Sequence, residues 1–412
     1  MLAIVRRLLA LSTLALSVTA LGATSTGCAA DTGGEESEDD EPGTTEDAIN
    51  APRASGPLRF SHACDAGEKI TIAAVGDVLL HKGLQVQAVD ASDHFKSLWR
   101  GMSHLVAQAD VAYANLEGPT AEGVNKSGSS VRDPGHTFDD NVYSSYPMFN
   151  YHSSLVDDLK STGFDVVSTA NNHSLDRRAI GADRTIANLE RAGLAFTGTR
   201  PSTDTSRPWH AMTTTRGVRL AWLACTFSTN GIPDSKKQVL HCYENRSEVL
   251  QTIRDLSARR DVDGVIVTPH WGEEYMHTPR SQEKQLAHDM LDAGATAVLG
   301  GHPHVVQPWE KHVTPDGREG FVIYSLGNFV SGQSQLPRRS SLVLYLGLTK
   351  GRDGKVFVNG VRHVPLTMRR WTVEPSDKAS DATESMALTT QIFGEWNRMK
   401  SDERLVTNPE CR

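Results

Sequence analysis

Five short stretches of this sequence gather side chains that bind metals or move protons. They are Gly76-Asp77, Asn115-Leu116-Glu117, Asn171-Asn172-His173, His270-Trp271-Gly272-Glu273 and Gly301-His302-Pro303-His304. Hard oxygen donors and imidazoles in one sphere suit a divalent ion such as Mn, Fe or Zn, and one or two ions are expected. Each stretch also has a plain structural reading. A single aspartate after a strand is more often a turn or helix-cap residue, and Asn172 could bond local backbone. Glu117 could be a surface carboxylate, and His270 a satisfied core histidine. His302-Pro303-His304 is the stronger signal, because a proline of fixed φ between two histidines sets both rings on a rigid turn. The joint occurrence favours the metal reading, since the plain one must explain every stretch separately.

Such residues need elements to position them, and the hydrophobic pattern provides these. Ile70 to Val75, Val111 to Asn115, Phe164 to Thr169, Val218 to Phe227, Gly264 to Pro269, Thr296 to Leu299 and Phe321 to Leu326 read as buried strands. Ser153 to Thr162, Ile180 to Ala192, Ser247 to Arg260 and Ser281 to Ala293 carry apolar residues at helical spacing, with Gly163, Gly193 and Gly294 where helices end. This alternation predicts an α/β fold around largely parallel strands. All five stretches begin at or just past a predicted strand's carboxyl end, the edge where parallel sheets form ligand sites. Ser341 to Lys350 and Lys355 to Met368 read as a hairpin completing the second sheet. Gly118 to Tyr151 lacks periodicity and reads as a long excursion.

The segments GDVLLH (76–81), ANLEGP (114–119), NNHSLD (171–176), VTPHWGEEY (267–275), GGHPHVVQPWE (300–310) and VIYSLGNFV (322–330) resemble the CapA family, known for poly-γ-glutamate capsule synthesis. The resemblance covers roughly Lys69 to Ser331, in order. It implies kinship with calcineurin-like metallophosphoesterases, hence a four-layer α/β/β/α sandwich of two mixed sheets flanked by helices. By the same resemblance Asp77, Glu117, Asn172, His270, His302 and His304 are metal ligands, with Glu117 bridging, and His173 is the catalytic histidine. His81, Asn115, Asn171, Trp271 and Glu273 are expected to support the ligands or meet substrate. The sequence departs from the phosphoesterase pattern at Leu79, where those enzymes carry a histidine, and His81 lies two residues further on. Tyr275 and Trp309 are candidates to line a cleft with Trp271, with core packing the alternative. Arg177 and Arg178 are either anion contacts or surface residues at a helix start.

Composition sets the setting. Arg6 and Arg7 precede an apolar run from Leu8 to Leu21, and Ser25-Thr26-Gly27-Cys28 resembles a lipobox with Ser in place of the usual Leu. Residues 1–27 are therefore read as a lipoprotein signal peptide, Cys28 as the lipidation site, and 28–57 as an acidic disordered tether. A soluble secreted or periplasmic protein is the alternative. Nine acidic residues lie between Asp31 and Asp47, with no Lys or Arg. Removing these nine from the 50 acids, and Arg6, Arg7 and Arg53 from the 42 basic residues, leaves 41 against 39. So even a balance gives no nucleic-acid-binding face. Residues 58–375 form the expected main domain, with 376–412 a C-terminal helix and tail packing on it. Cys64, Cys225, Cys242 and Cys411 allow three pairings, of which Cys64 to Cys411 with Cys225 to Cys242 is favoured because chain ends often lie close.

Two functions follow. One is an exported metal-dependent hydrolase or transferase acting on a phosphorylated substrate or envelope polymer. The other is a non-catalytic protein that binds or guides a capsule polymer within a membrane-bound synthesis complex. No GxSxG elbow occurs, so a serine hydrolase has no support.

Overall fold

The computed structural model describes residues 50–411, so the predicted signal peptide, Cys28 and the tether up to residue 49 lie outside the described residues. Two mixed sheets form the centre. In the first, β1 (Glu68–Leu79), β2 (Val111–Leu116), β3 (Val166–Ser168) and β4 (Ala195–Thr197) run parallel side by side. The second contains β5 (Ala211–Thr215), β6 (Val218–Thr226), β7 (Gly264–His270), β8 (Ala297–Leu299), β9 (Val306–Val313) and β10 (Glu319–Leu326). There β6, β7, β8 and β10 are parallel, while β5 and β9 close the edges antiparallel.

The remaining strands return to the first sheet. β11 (Asn328–Ser331) pairs parallel with the end of β1, and β12 (Ser340–Lys350) pairs antiparallel along it. β13 (Val356–Arg369) and β14 (Thr372–Pro375) extend that edge. The predicted hairpin therefore exists, but it completes the sheet of β1, not the later sheet. Its partner edge is set by a pairing across more than 250 residues of chain, which local pattern does not encode.

Period-two alternation sorts side chains into layers. Along β1, Ile70, Ile72 and Ala74 face the core between the sheets, while Ala73 and Val75 face the outer helices. Along β10, Phe321 and Ile323 point inward and Val322 and Tyr324 outward. Helices α1 (Lys82–Asp90), α2 (Ser103–Val106) and α3 (Ser154–Thr162) cover the first sheet through Leu84, Leu105 and Leu155. α4 (Arg178–Ala192) adds Leu189 to that layer. α5 (Arg246–Ala258) and α6 (Ser281–Asp292) cover the second through Val249, Ile253, Leu286 and Met290. The result is the four-layer α/β/β/α sandwich. Gly163 and Gly193 end α3 and α4 at φ 111° and 63°, left-handed values at which glycine has no Cβ penalty.

After the short α7 (Leu336–Arg339), α8 (Thr383–Phe393) inserts Leu388, Ile392 and Phe393 into the core between the sheets. Cys64 is bonded to Cys411 and Cys225 to Cys242, the pairing favoured from the sequence. No helix among the described residues is long and apolar enough to cross a membrane.

Candidate metal centre

Strand register brings the five stretches together. Asp77 pairs with Asn115 on β2, and β7 ends at His270, which bridges to Gly301 just past β8. A Cβ at Gly301 would lie 2.9 Å from Asp77 Oδ1, so only glycine lets this turn approach the carboxylate. His302 and His304 sit at φ 98° and 57°, strained values for histidine, and both rings are buried.

The polar contacts form one network. Asn115 Nδ2 donates to Asp77 Oδ1 at 2.8 Å and lies 3.1 Å from His270 Nδ1. His270 Nε2 lies 2.9 Å from Asn172 Oδ1 and 3.4 Å from Glu117 Oε1. His304 Nδ1 lies 3.2 Å from Asp77 Oδ2 and 3.1 Å from Asn328 Oδ1, and its Nε2 is 3.9 Å from Glu117. Donor atoms of Glu117, His270 and His302 lie within 4.8 Å of one another, as do those of Asp77, Glu117 and His304. Glu117 belongs to both groups, so it is placed to bridge two ion positions.

The donor set fits a cation. Both Glu117 carboxylate oxygens and His302 Nδ1 are buried without a hydrogen-bond partner, a costly state for polar atoms unless something binds them. Burial alone would raise the Glu117 carboxyl, but the His304 and His270 imidazoles overcome it and hold it down at about 2. Burial likewise opposes charge on His304, yet the Glu117 and Asp77 carboxylates push it up to about 9. His302 goes the other way: burial, then its neighbours His270 and His304, hold it well below the ordinary value. The cluster thus offers an ionised Glu117 carboxylate, a His302 imidazole that carries no proton to displace, and a His304 imidazole that can exchange its proton for a metal.

His173 stands beside this set, its Nδ1 2.7 Å from Asp176 Oδ2 and its ring edge-on to Phe149. Burial works against its charge, and the Asp176 carboxylate more than compensates, raising the imidazole. Asp176 was missed in the sequence; the signal was its i+3 spacing after His173 at the foot of α4.

Several expected neighbours fall elsewhere. Trp271 is fully buried in the core behind the site, donating Nε1 to Tyr324 O at 3.0 Å, and does not line a cleft. Trp309 packs against Phe321, His363 and Phe393. Glu273 is exposed and joins no donor group; its neighbour Glu274 does, with His302 and His304. Both acids are exposed, between the left-handed Gly272 and Tyr275. His81 is not in the cluster either: Gly332 N donates to its Nδ1 at 3.0 Å. Asn171 braces the strands by donating to Leu116 O at 2.7 Å. Arg177 is neither an anion contact nor a surface residue. It is buried and donates to Val124 O and Val142 O at 3.1 Å, pinning the 118–151 excursion. That excursion returns Phe149, whose N donates to Asp176 Oδ2 at 2.7 Å. Asn328, also missed, orients His304 from the first position of β11.

A buried oxygen-and-imidazole centre at the carboxyl edge of a two-sheet sandwich defines a candidate metal-site protein. Residues 71–333 match the family described as bacterial capsule synthesis protein PGA_cap, and the chain belongs to that family. It is 28% identical over 317 residues to the capsule biosynthesis protein CapA of Bacillus anthracis, covering 76% of this chain and 71% of that one. It is 27% identical over 318 residues to the PGA biosynthesis protein CapA of Bacillus subtilis, covering 76% and 75%. Among solved structures it is similar to Haemophilus influenzae NAD nucleotidase, with a TM-score of 0.44, 9% identity, and coverage of 82% of this chain and 65% of that chain.

Proposed function

We propose that this protein is an exported, metal-dependent hydrolase or transferase acting on a γ-glutamyl or phosphorylated envelope polymer during capsule synthesis. A lipid on Cys28 holds it at the membrane, and the acidic stretch after Cys28 is its tether. The state of Glu117 carries the reading: a buried, ionised carboxylate, both oxygens without hydrogen bonds, shared by two imidazole-containing groups. The two disulfides suit an oxidising compartment, and the names of the relatives supply the polymer.

Asp77, Glu117, Asn172, His270, His302 and His304 would hold the ions, with Mn, Fe or Zn suited to that mixture of donors. Bound there, divalent cations supply Lewis-acid charge to a phosphoryl or carbonyl oxygen and acidify an attacking water. Asn115 and Asn328 fix the orientation of the ligands they touch. His173, its imidazole raised by the Asp176 carboxylate at Nδ1, would present Nε2 to give a proton to the leaving group. Phe149 closes the other side of that ring against water.

One observation favours a second reading, in which the protein guides a polymer in a membrane-bound synthesis complex without catalysis. Leu79, where phosphoesterases carry a histidine, is buried in the outer core, so one ion position has no imidazole from β1. Elemental analysis of the purified protein beside a His302→Ala/His304→Ala variant tests the first reading. About two ions per chain, lost in the variant, are expected. Absence of bound metal after supplementation with Mn, Fe and Zn would overturn it and leave the second.

A further inference from the structure

The first sheet presents more than the metal cluster at its carboxyl edge. β13 runs parallel to β1, because both are antiparallel to β12, so its end at Arg369 lies on the same edge as Asp77. β12 begins there too, directly after α7. Between these ends is a cavity of about 450 Å³ whose wall includes Gly332, Arg339, Arg369, Arg370 and Trp371. It is tied to the candidate metal centre by backbone. Asn328, which meets His304, donates Nδ2 to Arg338 O at 3.0 Å, and Gly332 donates to His81. One segment, 328–339, therefore orients a proposed ligand at its start and delivers Arg339 to the cavity at its end.

Charge and strain single out this cavity. Arg339, Arg369 and Arg370 line it, and among the described residues two acids pair with them. Asp381 pairs with Arg369, and Glu384 lies 3.6 Å from Arg339. Arg339 Nε is buried without a hydrogen-bond partner. Arg370 and Trp371 are the two central residues of the β13–β14 turn, at φ 45° and 62°. Such turns normally take Asn-Gly, because both positions need positive φ. Arginine and tryptophan held there carry strain of the kind found at ligand sites. Trp371 packs on Gly83, where a Cβ would come within 3.1 Å of the indole, so α1, which follows His81, is shaped to seat it.

We propose that this cavity is a subsite for the carboxylates of a γ-linked glutamate chain, an assignment that rests on the proposed polymer function of the metal centre. Guanidinium forks match planar carboxylates in bidentate geometry, and a repeating carboxylate chain meets several arginines at once. The chain lies along the sheet edge, with its side carboxylates in the arginine cavity and its backbone amide reaching toward Asp77 and Glu117.

Titrating the full chain with a γ-linked glutamate oligomer by calorimetry tests this, beside an Arg339→Gln/Arg370→Gln variant and Arg370→Lys. Thermal unfolding and metal content are measured on each. The double variant should bind the oligomer at least about tenfold more weakly at unchanged metal content and unfolding midpoint, with Arg370→Lys between it and the parent. Equal binding by parent and double variant, or no binding by the parent, overturns the subsite. Tighter binding of inorganic polyphosphate than of the oligomer overturns the carboxylate assignment. Metal content is read separately, so failure of the subsite and failure of the metal-centre reading are distinguishable.

Discussion

Glu117 and Asp263 are both buried acids held below the usual carboxylate range, at opposite edges of the sandwich. Asp263 precedes β7 at its amino end and is answered by the protein's own permanent cations. Burial would raise it, but Arg219 Nη2 at 2.9 Å and Lys350 Nζ at 2.8 Å reverse that, and the Arg219 amide adds a bond at 2.8 Å. Lys350 comes from β12, so this acid joins the two sheets. Glu117 has imidazoles as its cationic neighbours, no Arg or Lys paired with it, and no hydrogen bond to either oxygen. The difference is chemical. A guanidinium keeps its protons at any ordinary pH, whereas an imidazole can exchange its proton for a metal ion. A buried acid neutralised by Arg and Lys is finished; one ringed by histidines is prepared to receive something.

The largest effect should follow from removing the unfinished acid. Glu117→Gln should abolish metal retention and lower any turnover by about 10³ or more, since both ion positions share this carboxylate. Adding metal at 100 times its Kd should stabilise the parent by about 2.7 kcal/mol and the variant not at all, read by urea unfolding. Asp263→Asn should do the reverse, costing about 2–3 kcal/mol by leaving Lys350 and Arg219 without their carboxylate while metal content stays at the parental level. Loss of metal from Asp263→Asn would break the comparison.

A finer test lies within the site. Asp176 touches no proposed ion position, and it acts through His173. Asp176→Asn should lower turnover by about tenfold to a hundredfold, less than the 10²–10⁴ expected for losing a general acid itself. The carboxylate raises His173. Its removal should therefore move the alkaline limb of the pH–rate profile, where the acid loses its proton, to lower pH. A uniform loss of rate with an unshifted profile would make Asp176 merely structural.

Much of this contrast was legible in the sequence, and its omissions have physical causes. Strand ends could be read because buried parallel strands are continuous apolar runs, so a polar residue immediately after one stands out. That placed Asp77, Glu117, Asn172, His270, His302 and His304 on one edge. It could not separate Glu273 from Glu274, two adjacent exposed acids of which only the second has a carboxylate within reach of His302 and His304. Nor could it show that Arg177 would satisfy carbonyls of an excursion with no periodicity of its own. β11 was hidden because four residues after the Gly327 turn are too short to display alternation. The hairpin's sheet was misjudged because its pairing with β1 is non-local. The Asp263 cluster was invisible for the same reason: Arg219, Asp263 and Lys350 are far apart in the chain and meet only through β6, β7 and β12.

His363 sharpens the comparison as a third solution, a buried titratable group kept neutral. It lies on β13 with Trp309 and Phe393 at ring-centroid distances of 5.4 Å. Burial, then Arg398 and Arg362, lower its imidazole to about 3. Unfolded, the ring titrates near 6.5. Between those values the unfolded chain binds the extra proton, so folding stability is full above about pH 6.5 and falls as pH drops, by about 1.4 kcal/mol per unit. At pH 5.5 the group should cost about 1.4 kcal/mol relative to pH 7. His363→Leu, close in volume and unable to titrate, should remove that increment from the difference between urea midpoints at the two pH values. Metal binding should be untouched, because no proposed ligand contacts His363. An unchanged pH dependence in the variant would place the acid sensitivity in other histidines held low by burial, His302 of the metal centre among them, since the raised His304 adds stability as pH falls.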